Sequence, residues 1–476
     1  MDKTKLLALL EEKKQKFTEA SDRIWETPEL RFATYKSVEQ HYSVLESEDF
    51  DIEKGVAGMN NAYVASFGSG HPVIGVLGEY DALSNLSQVA DLAEEQAVET
   101  GGNGHGCGHN LLGMGAVVAA VGVKEFLRDT GQSGTIKLFG CPAEEGGCGK
   151  SFMARSGLFD DLDIALSWHP SDKTEAWGSG SLSVYHVDYQ FKGQAAHAAG
   201  APELGRSALD AAELMNVGVQ YLREHIIDEA RIHYAYKDAG GHSPNVVQSS
   251  SRLFYYVRAP EIEQAKAILE RVNRVAEGAA LMTDTELNIH VHSACYNYIP
   301  NKTVTYNLQE NLELLTPLSF SEAEIAYEQA FFDTVSEQVK ANIYESIRHS
   351  FPELDSDQWT KLAQEPVSTP LYPIEFFGKT IGSTDVGDVS WIVPTGQVFV
   401  ACEPHGTPPH SWQWVANGKS SVAHKGMMTA GKTLALSAID LIENPELVEK
   451  AKQEHLDFLQ GRSYVCAFSD DVMPDE

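Results

Sequence analysis

Leu6, Leu9, Leu10, Phe17 and Ile24 recur at helical spacing, so residues 4 to 25 predict an amphipathic helix. A different pattern follows: short apolar runs, each closed by Gly, Asp, Glu or His and succeeded by a helical stretch. Pro72 to Leu77 leads into Gly78-Glu79-Tyr80-Asp81, Thr135 to Phe139 into Cys141-Pro142-Ala143-Glu144-Glu145, and Ile164 to Trp168 into His169-Pro170. Runs of this length, alternating with helices such as Leu111 to Arg128, predict an α/β sheet.

Near residue 180 the period changes. Ser181 to Phe191 alternates like a half-buried strand, and Arg206 to Leu222 has the helical period. Arg231 to Tyr236 and Val246 to Val257 are strand-like, Glu261 to Leu281 is helical, and Glu286 to His292 is a last strand. The order β-α-β-β-α-β over about 115 residues is that of a small independent unit. Acidic helices between about 305 and 350 follow, then a strand at Gln397 to Ala401 and a closing helix at His424 to Ile442. The predicted architecture is one α/β domain formed by residues 1–179 and 299–476, interrupted by a smaller domain over 180–298.

At 476 residues the chain exceeds what one hydrophobic core serves, which fits that division. With 43% hydrophobic and 22% charged residues, its composition is that of a globular protein. A net charge of -32 argues against nucleic acid and against an anionic membrane as partners. It also means that an anionic ligand needs a locally placed cation. Leu6 to Leu10 is shorter than a signal-peptide core and runs at once into Glu11-Glu12-Lys13-Lys14; no later window is expected to reach a membrane span. Six cysteines without scaffold spacing suit a reducing cytoplasm.

Loops at the carboxyl ends of parallel strands converge on one crevice, so the polar residues after the apolar runs are the candidates for chemistry. Gly104-His105-Gly106-Cys107-Gly108-His109 sets a thiolate and an imidazole two residues apart, with glycines that let the backbone close around an ion. The bland alternative is a glycine-rich turn with a chance cysteine. Glu144 and Glu145 are either a solvated pair or a division of labour, one carboxylate on a metal and the other taking a proton from water. His169 alone could be a packed core histidine, and His410 alone a loop residue. Cys, His and Glu together at predicted strand ends point to a hydrolytic metal centre. Cys141, Cys148, Cys295, Cys402 and Cys466 read as packing residues, and Tyr255, Tyr256, Trp412 and Trp414 as core. His105 and His405 read as residues that shape loops.

These elements, with Gly193, Ala195-Ala196-His197-Ala198, Ser243-Pro244-Asn245-Val246-Val247-Gln248, Arg258-Ala259-Pro260 and Ser383 to Trp391, resemble the aminoacylase/carboxypeptidase-type di-metal metallohydrolases. The resemblance is strongest to the branch that hydrolyses p-aminobenzoyl-glutamate and to its dipeptidase relatives. It implies a peptidase-type α/β sheet domain with an inserted ferredoxin-like lid and dimerisation domain. It implies two divalent ions, Zn²⁺ ahead of Mn²⁺, held by Cys107, His109, Glu145, His169 and His410, with Glu144 as general base. It sets His197 and Asn245 against the substrate and makes Asp81 a residue that orients an imidazole. Arg258 becomes a candidate for the substrate carboxylate, a structural ion pair being its alternative. In the commoner branch a His-x-Asp element stands in the first βα loop, where this chain has Glu79 and Asp81. The expected reaction is hydrolysis of p-aminobenzoyl-glutamate to p-aminobenzoate and glutamate. Another N-acyl amino acid or a dipeptide is the alternative within that class, and a catalytically silent metal-binding relative the alternative outside it. A homodimer through the lid and an A-type partner complete what the resemblance implies.

Overall fold

The computed structural model describes every residue except 377, 379–381, 475 and 476. Its strands are β1 (Asp51–Lys54), β2 (Tyr63–Ser69), β3 (Val73–Glu79), β4 (Gly134–Cys141), β5 (Ile164–Ser171), β6 (Glu175–Trp177), β7 (Ser183–Lys192), β8 (Arg231–Asp238), β9 (Ser250–Ala259), β10 (Glu286–Cys295) and β11 (Thr395–Ala401). The larger sheet runs β1-β2-β4-β3-β5-β11-β6. Its centre, β4-β3-β5-β11, is parallel; β2 and β6 flank it antiparallel, and β1 pairs antiparallel with β2 at the edge. Every residue of β3 is buried, because helices cover both faces, and this is why the run carries no alternation.

The helix His109–Thr130 lies under this sheet and packs on Ser421–Glu443. The two approach closely at Gly431, where an added Cβ would stand 2.6 Å from the Cβ of Val118. Contrary to the expectation that no window is apolar enough to span a membrane, His109–Thr130 is long and apolar enough by composition. Its residues 109–127 are all buried, and its apolar surface faces the sheet and neighbouring helices of the core.

The predicted helix over residues 4 to 25 is two helices, Lys3–Glu12 and Lys14–Glu26. Lys13 sits at the break and reaches Glu48 at 2.6 Å and Glu125 at 2.8 Å, so tertiary ion pairs take the place of a continuous helix. The sequence pattern also passed over β1, β2, β6 and the last helix, Pro445–Leu459.

The segment from β7 to β10 forms the second sheet, in the antiparallel order β10-β7-β9-β8, with the helices Ala208–Arg223 and Ile262–Thr283 between its strands in sequence. That order is the one a ferredoxin-like β-α-β-β-α-β unit takes. Along β9 every second residue is buried: Leu253, Tyr255, Val257 and Ala259 join the core with the two helices. Arg252, Phe254, Tyr256 and Arg258 therefore share the opposite face.

Candidate metal centre and active site

The parallel strands deliver the site from their carboxyl ends. β3 ends in Glu79 and leads to Asp81; β4 leads to Glu144 and Glu145; β5 carries His169; β11 leads to the loop bearing His410. Cys107 and His109 stand at the start of the long core helix. Between them Gly108 has φ +71°, and a Cβ there would lie 3.0 Å from Pro170 Cγ and 3.1 Å from Trp414 Nε1, so the turn needs glycine. Ala143, Cys148 and His410 hold positive φ of 62°, 56° and 59° without being glycine. Such backbone costs on the order of 1–3 kcal/mol each and collects at functional sites.

The structure brings all five sequence-derived ligand candidates together. Cys107 Sγ lies 3.4 Å from His169 Nε2, and His410 Nε2 lies 3.3 Å from Glu145 Oε1. His109 Nε2 lies 3.3 Å from Glu79 Oε2 and 4.0 Å from Glu144 Oε2. Three overlapping donor sets result: Cys107/His109/His169, Cys107/Glu145/His410 and Glu79/His109/Glu144, each with its atoms within 4.8 Å of one another.

Hydrogen bonds behind these atoms leave their lone pairs facing inward. His109 Nδ1 is 3.1 Å from Asp81 Oδ1, and His169 Nδ1 donates to the Pro170 carbonyl at 2.6 Å. Both rings thereby present Nε2 to the centre. Asp81 also accepts from the Glu145 backbone N–H at 2.9 Å, so one carboxylate sets an imidazole and the Glu-Glu turn at once. His109 Nε2 and Glu145 Oε1 are buried and make no hydrogen bond. Orphaned buried atoms of this kind cost free energy unless something bonds them, and sulfur, imidazole and carboxylate donors suit a borderline divalent cation. The residues present fit metal ions.

The electrostatics agree. Burial raises the Cys107 thiol, but His169 and His109 together bring the group down to about 6. Burial opposes ionisation of Glu145, but His410 and His109 bring its carboxyl down to about 2. Glu144 is pushed well above the usual carboxylate range, first by burial and then by the charges of Glu79, Glu145 and Asp385. So dense a group of acids calls for cations.

One cation is already there. Lys150 is fully buried and spans Glu79 and Asp385, 2.6 Å from each. Sequence reasoning missed it, because a lysine two residues after a cysteine in a glycine-rich turn gives no sign of burial. It accounts for Glu79 and Asp385, whose roles the sequence left open. Asp388 serves structure, accepting from the Tyr296 N–H at 3.0 Å and the Tyr464 hydroxyl at 2.7 Å.

A cavity of about 1070 Å³ opens onto the cluster, lined by Cys107, Glu144, Glu145, His169 and His410 and, from the smaller sheet, by Tyr256 and Arg258. Arg258 donates to Ser383 Oγ at 2.6 Å. Among the described residues no carboxylate lies within ion-pair distance of it, which removes the structural ion pair as its explanation. Tyr256, Cys148 and Cys295, read from sequence as core or packing residues, also line the cavity; their side chains sit where the small sheet meets the Glu144–Cys148 turn. His197 and Asn245 are exposed on adjoining loops of the small domain and do not line this cavity. The Ala198 N–H donates to the Asn245 carbonyl at 2.9 Å, and His197 Nδ1 accepts from Gly200 N at 3.0 Å.

Comparison with known proteins is consistent with this geometry. The chain is 42% identical over 466 residues to the B-type component of p-aminobenzoyl-glutamate hydrolase from Escherichia coli K12, covering 98% of this chain and 97% of that protein. It is 27% identical over 453 residues to the Xaa-Arg dipeptidase of Mus musculus, covering 94% and 90%. An aminobenzoyl-glutamate utilization protein from Klebsiella pneumoniae superposes with a TM-score of 0.61 at 18% identity, over 91% of this chain and 97% of that one. A dinuclear metal binding peptidase from Bacillus subtilis does so at 0.53 and 17% identity, over 90% and 99%. Residues 75–417 match the profile of peptidase family M20/M25/M40, and the chain belongs to that family.

Proposed function

We propose that this metal-dependent amidohydrolase cleaves p-aminobenzoyl-glutamate to p-aminobenzoate and glutamate. The observation that carries the reading is the convergence of Cys107, His109, Glu145, His169 and His410 around Glu144, beside a cavity lined by an arginine that has no carboxylate partner among the described residues. The 42% identical relative supports the choice of acyl group and amino acid. Two divalent ions, zinc first because a thiolate is among the donors, would be held by those five residues. Bound there, they would supply Lewis-acid chemistry that makes water acidic and offsets charge on the carbonyl oxygen.

The residues divide the rest of the work. Glu144 takes a proton from water as its oxygen attacks the amide carbon, then gives that proton to the leaving nitrogen as the C–N bond breaks. Asp81 keeps His109 in the tautomer that presents Nε2. Arg258 meets the α-carboxylate, and His197 with Asn245 completes the site from a second copy of the chain. The Escherichia coli hydrolase has an A-type and a B-type component, both similar to this chain, so an A-type partner is part of the reading. An Xaa-Arg activity like that of the mouse relative fits the cavity less well, since with its α-carboxylate on Arg258 its cationic side chain would lie in a cavity that Arg31 also lines.

The zinc-loaded chain, assayed with p-aminobenzoyl-glutamate and a panel of N-acyl amino acids and dipeptides, is expected to release p-aminobenzoate fastest. No turnover of any amide by fully loaded protein, alone or with an A-type partner, would exclude the reading.

Cys107 gives a test of the ligand set. A metal-bound thiolate is shielded, so alkylation followed by mass spectrometry is expected to label Cys107 only after chelation. Cys466, likewise partly buried and a member of none of the donor sets, is expected to react in both states and serves as the control. Equal labelling of Cys107 with and without metal would remove it from the site.

A further inference from the structure

The chain carries a net charge of -32, yet one wall of the cavity concentrates cations. On the small sheet Arg258 enters the cavity beside Tyr256, whose ring centroid is 5.5 Å from the guanidinium carbon. Arg31, from the larger sheet's part of the chain, comes close to the same tyrosine. A Cβ added to Gly146 would lie 2.9 Å from the Tyr256 hydroxyl and 3.4 Å from Arg31 Nη2, so both side chains crowd over the residue next to Glu145.

The backbone fixes Arg31 in this place. Its φ is +45°, a conformation that costs a non-glycine residue energy. The preceding residues are tied to the loop after β3: Ala82 N–H donates to the Glu29 carbonyl at 2.8 Å, and Leu30 bridges Ala82. The side chain is exposed, lines the cavity and, among the described residues, has no carboxylate within ion-pair distance. Beyond it, Lys237 of β8 lies 3.9 Å from the Phe254 ring centroid and shares Asp188 with Arg252 and His292. Burial lowers the Lys237 pKa against the pull of Asp188, and Arg252 and Arg31 add a smaller repulsion.

We propose that Arg31, backed by Lys237, is a second anion subsite of this cavity, taking a carboxylate on the side chain of the substrate's amino-acid half. It rests on the reading of the cavity as an N-acyl amino acid site. With Arg258 on one carboxylate and Arg31 on the other, the two arginines that line the cavity near Tyr256 select N-acyl derivatives of dicarboxylic amino acids. A planar guanidinium suits the task because it grips a carboxylate through two parallel hydrogen bonds.

The test uses p-aminobenzoyl-glutamate and its isostere p-aminobenzoyl-glutamine, which differ in side-chain charge alone. The wild-type chain is expected to prefer glutamate. Arg31→Ala is expected to cut that kcat/KM preference roughly 20- to 100-fold, the usual effect of losing a charged hydrogen-bond partner, with the change in KM. Arg31→Lys should keep part of the preference, and Lys237→Gln should lose a smaller part. Arg258→Ala should weaken both substrates and leave their ratio in place. An Arg31→Ala chain that retains the wild-type ratio, even with both activities lowered, overturns the subsite. If that variant does not fold, a wild-type ratio in both Arg31→Lys and Lys237→Gln overturns it equally. The same ratio can be read by calorimetry, from binding of the two intact compounds to metal-loaded Glu144→Gln protein. Absence of hydrolysis would therefore sink the catalytic reading while this ratio still decides the subsite.

Discussion

Glu144→Gln protein is expected to keep its full metal content and to lose about 10²–10⁴-fold in kcat, the range contributed by a positioned general base. Glu145→Gln is expected to lose metal as well as activity. The two residues are adjacent in sequence, but the turn separates their duties: Ala143 at φ 62° and Gly146 at φ 81° bend the backbone on either side of them. Glu145 then faces His410 at 3.3 Å, while Glu144 stands 4.0 Å from His109 Nε2. A rival assignment exists within the same geometry, because Glu144 with Glu79 and His109 also forms a donor set. Metal analysis of the purified variants decides between the two. Comparable metal loss in both would make Glu144 a ligand and leave the base elsewhere, whereas full occupancy in Glu144→Gln with turnover lost isolates a proton-transfer role.

The parts of this site that could be read from sequence are those that sit where the backbone changes element. β3, β4, β5 and β11 were visible because fully buried parallel strands are continuous apolar runs, and the residues after them had to share a crevice. Glu144, Glu145, His169 and His410 follow from that rule as candidates, Cys107 and His109 stand out as a Cys-Gly-His element before a helix, and their division into five ligands and a base comes from the family resemblance. What stayed hidden is set by tertiary context. Lys150 has the sequence signature of a surface lysine, and only the closeness of Glu79 and Asp385 shows why it is fully buried. Arg31 lies in a segment without periodicity, and its positive φ leaves no mark on the sequence. Tyr256 looks like a core aromatic because β9 alternates, but alternation cannot say which face is covered by helices. The first helix breaks at Lys13 without Pro or Gly, since the cause is a pair of distant glutamates. β1 and β6 are too short for period-two patterning to register, with four and three residues.

His197→Ala and Glu144→Gln, each nearly inactive as a homodimer, are expected to restore about a quarter of wild-type activity when mixed and allowed to exchange protomers. The expectation rests on the proposal that His197 acts on the partner chain's substrate. Within one chain His197 is exposed and absent from the wall of the cavity that the metal-binding candidates line. The small sheet ends in β8, an edge strand that pairs with β9 alone among the described strands and exposes Tyr234 and Tyr236 (42% and 37% accessible). Soluble proteins rarely leave such an edge open, and a two-fold axis beside it would join two small sheets reciprocally. In a heterodimer of the two variants, the site with an intact Glu144 would receive its histidine from the Glu144→Gln chain, which carries a normal His197. The opposite site would hold both defects. Random exchange makes half of all dimers heterodimers, each with one good site, and so one site in four recovers. A histidine acting within its own chain gives a different result, because every site in the mixture would then carry one defect. Activity that stays at the level of the separate variants, with exchange verified by native mass spectrometry, would place His197 in cis or outside the reaction.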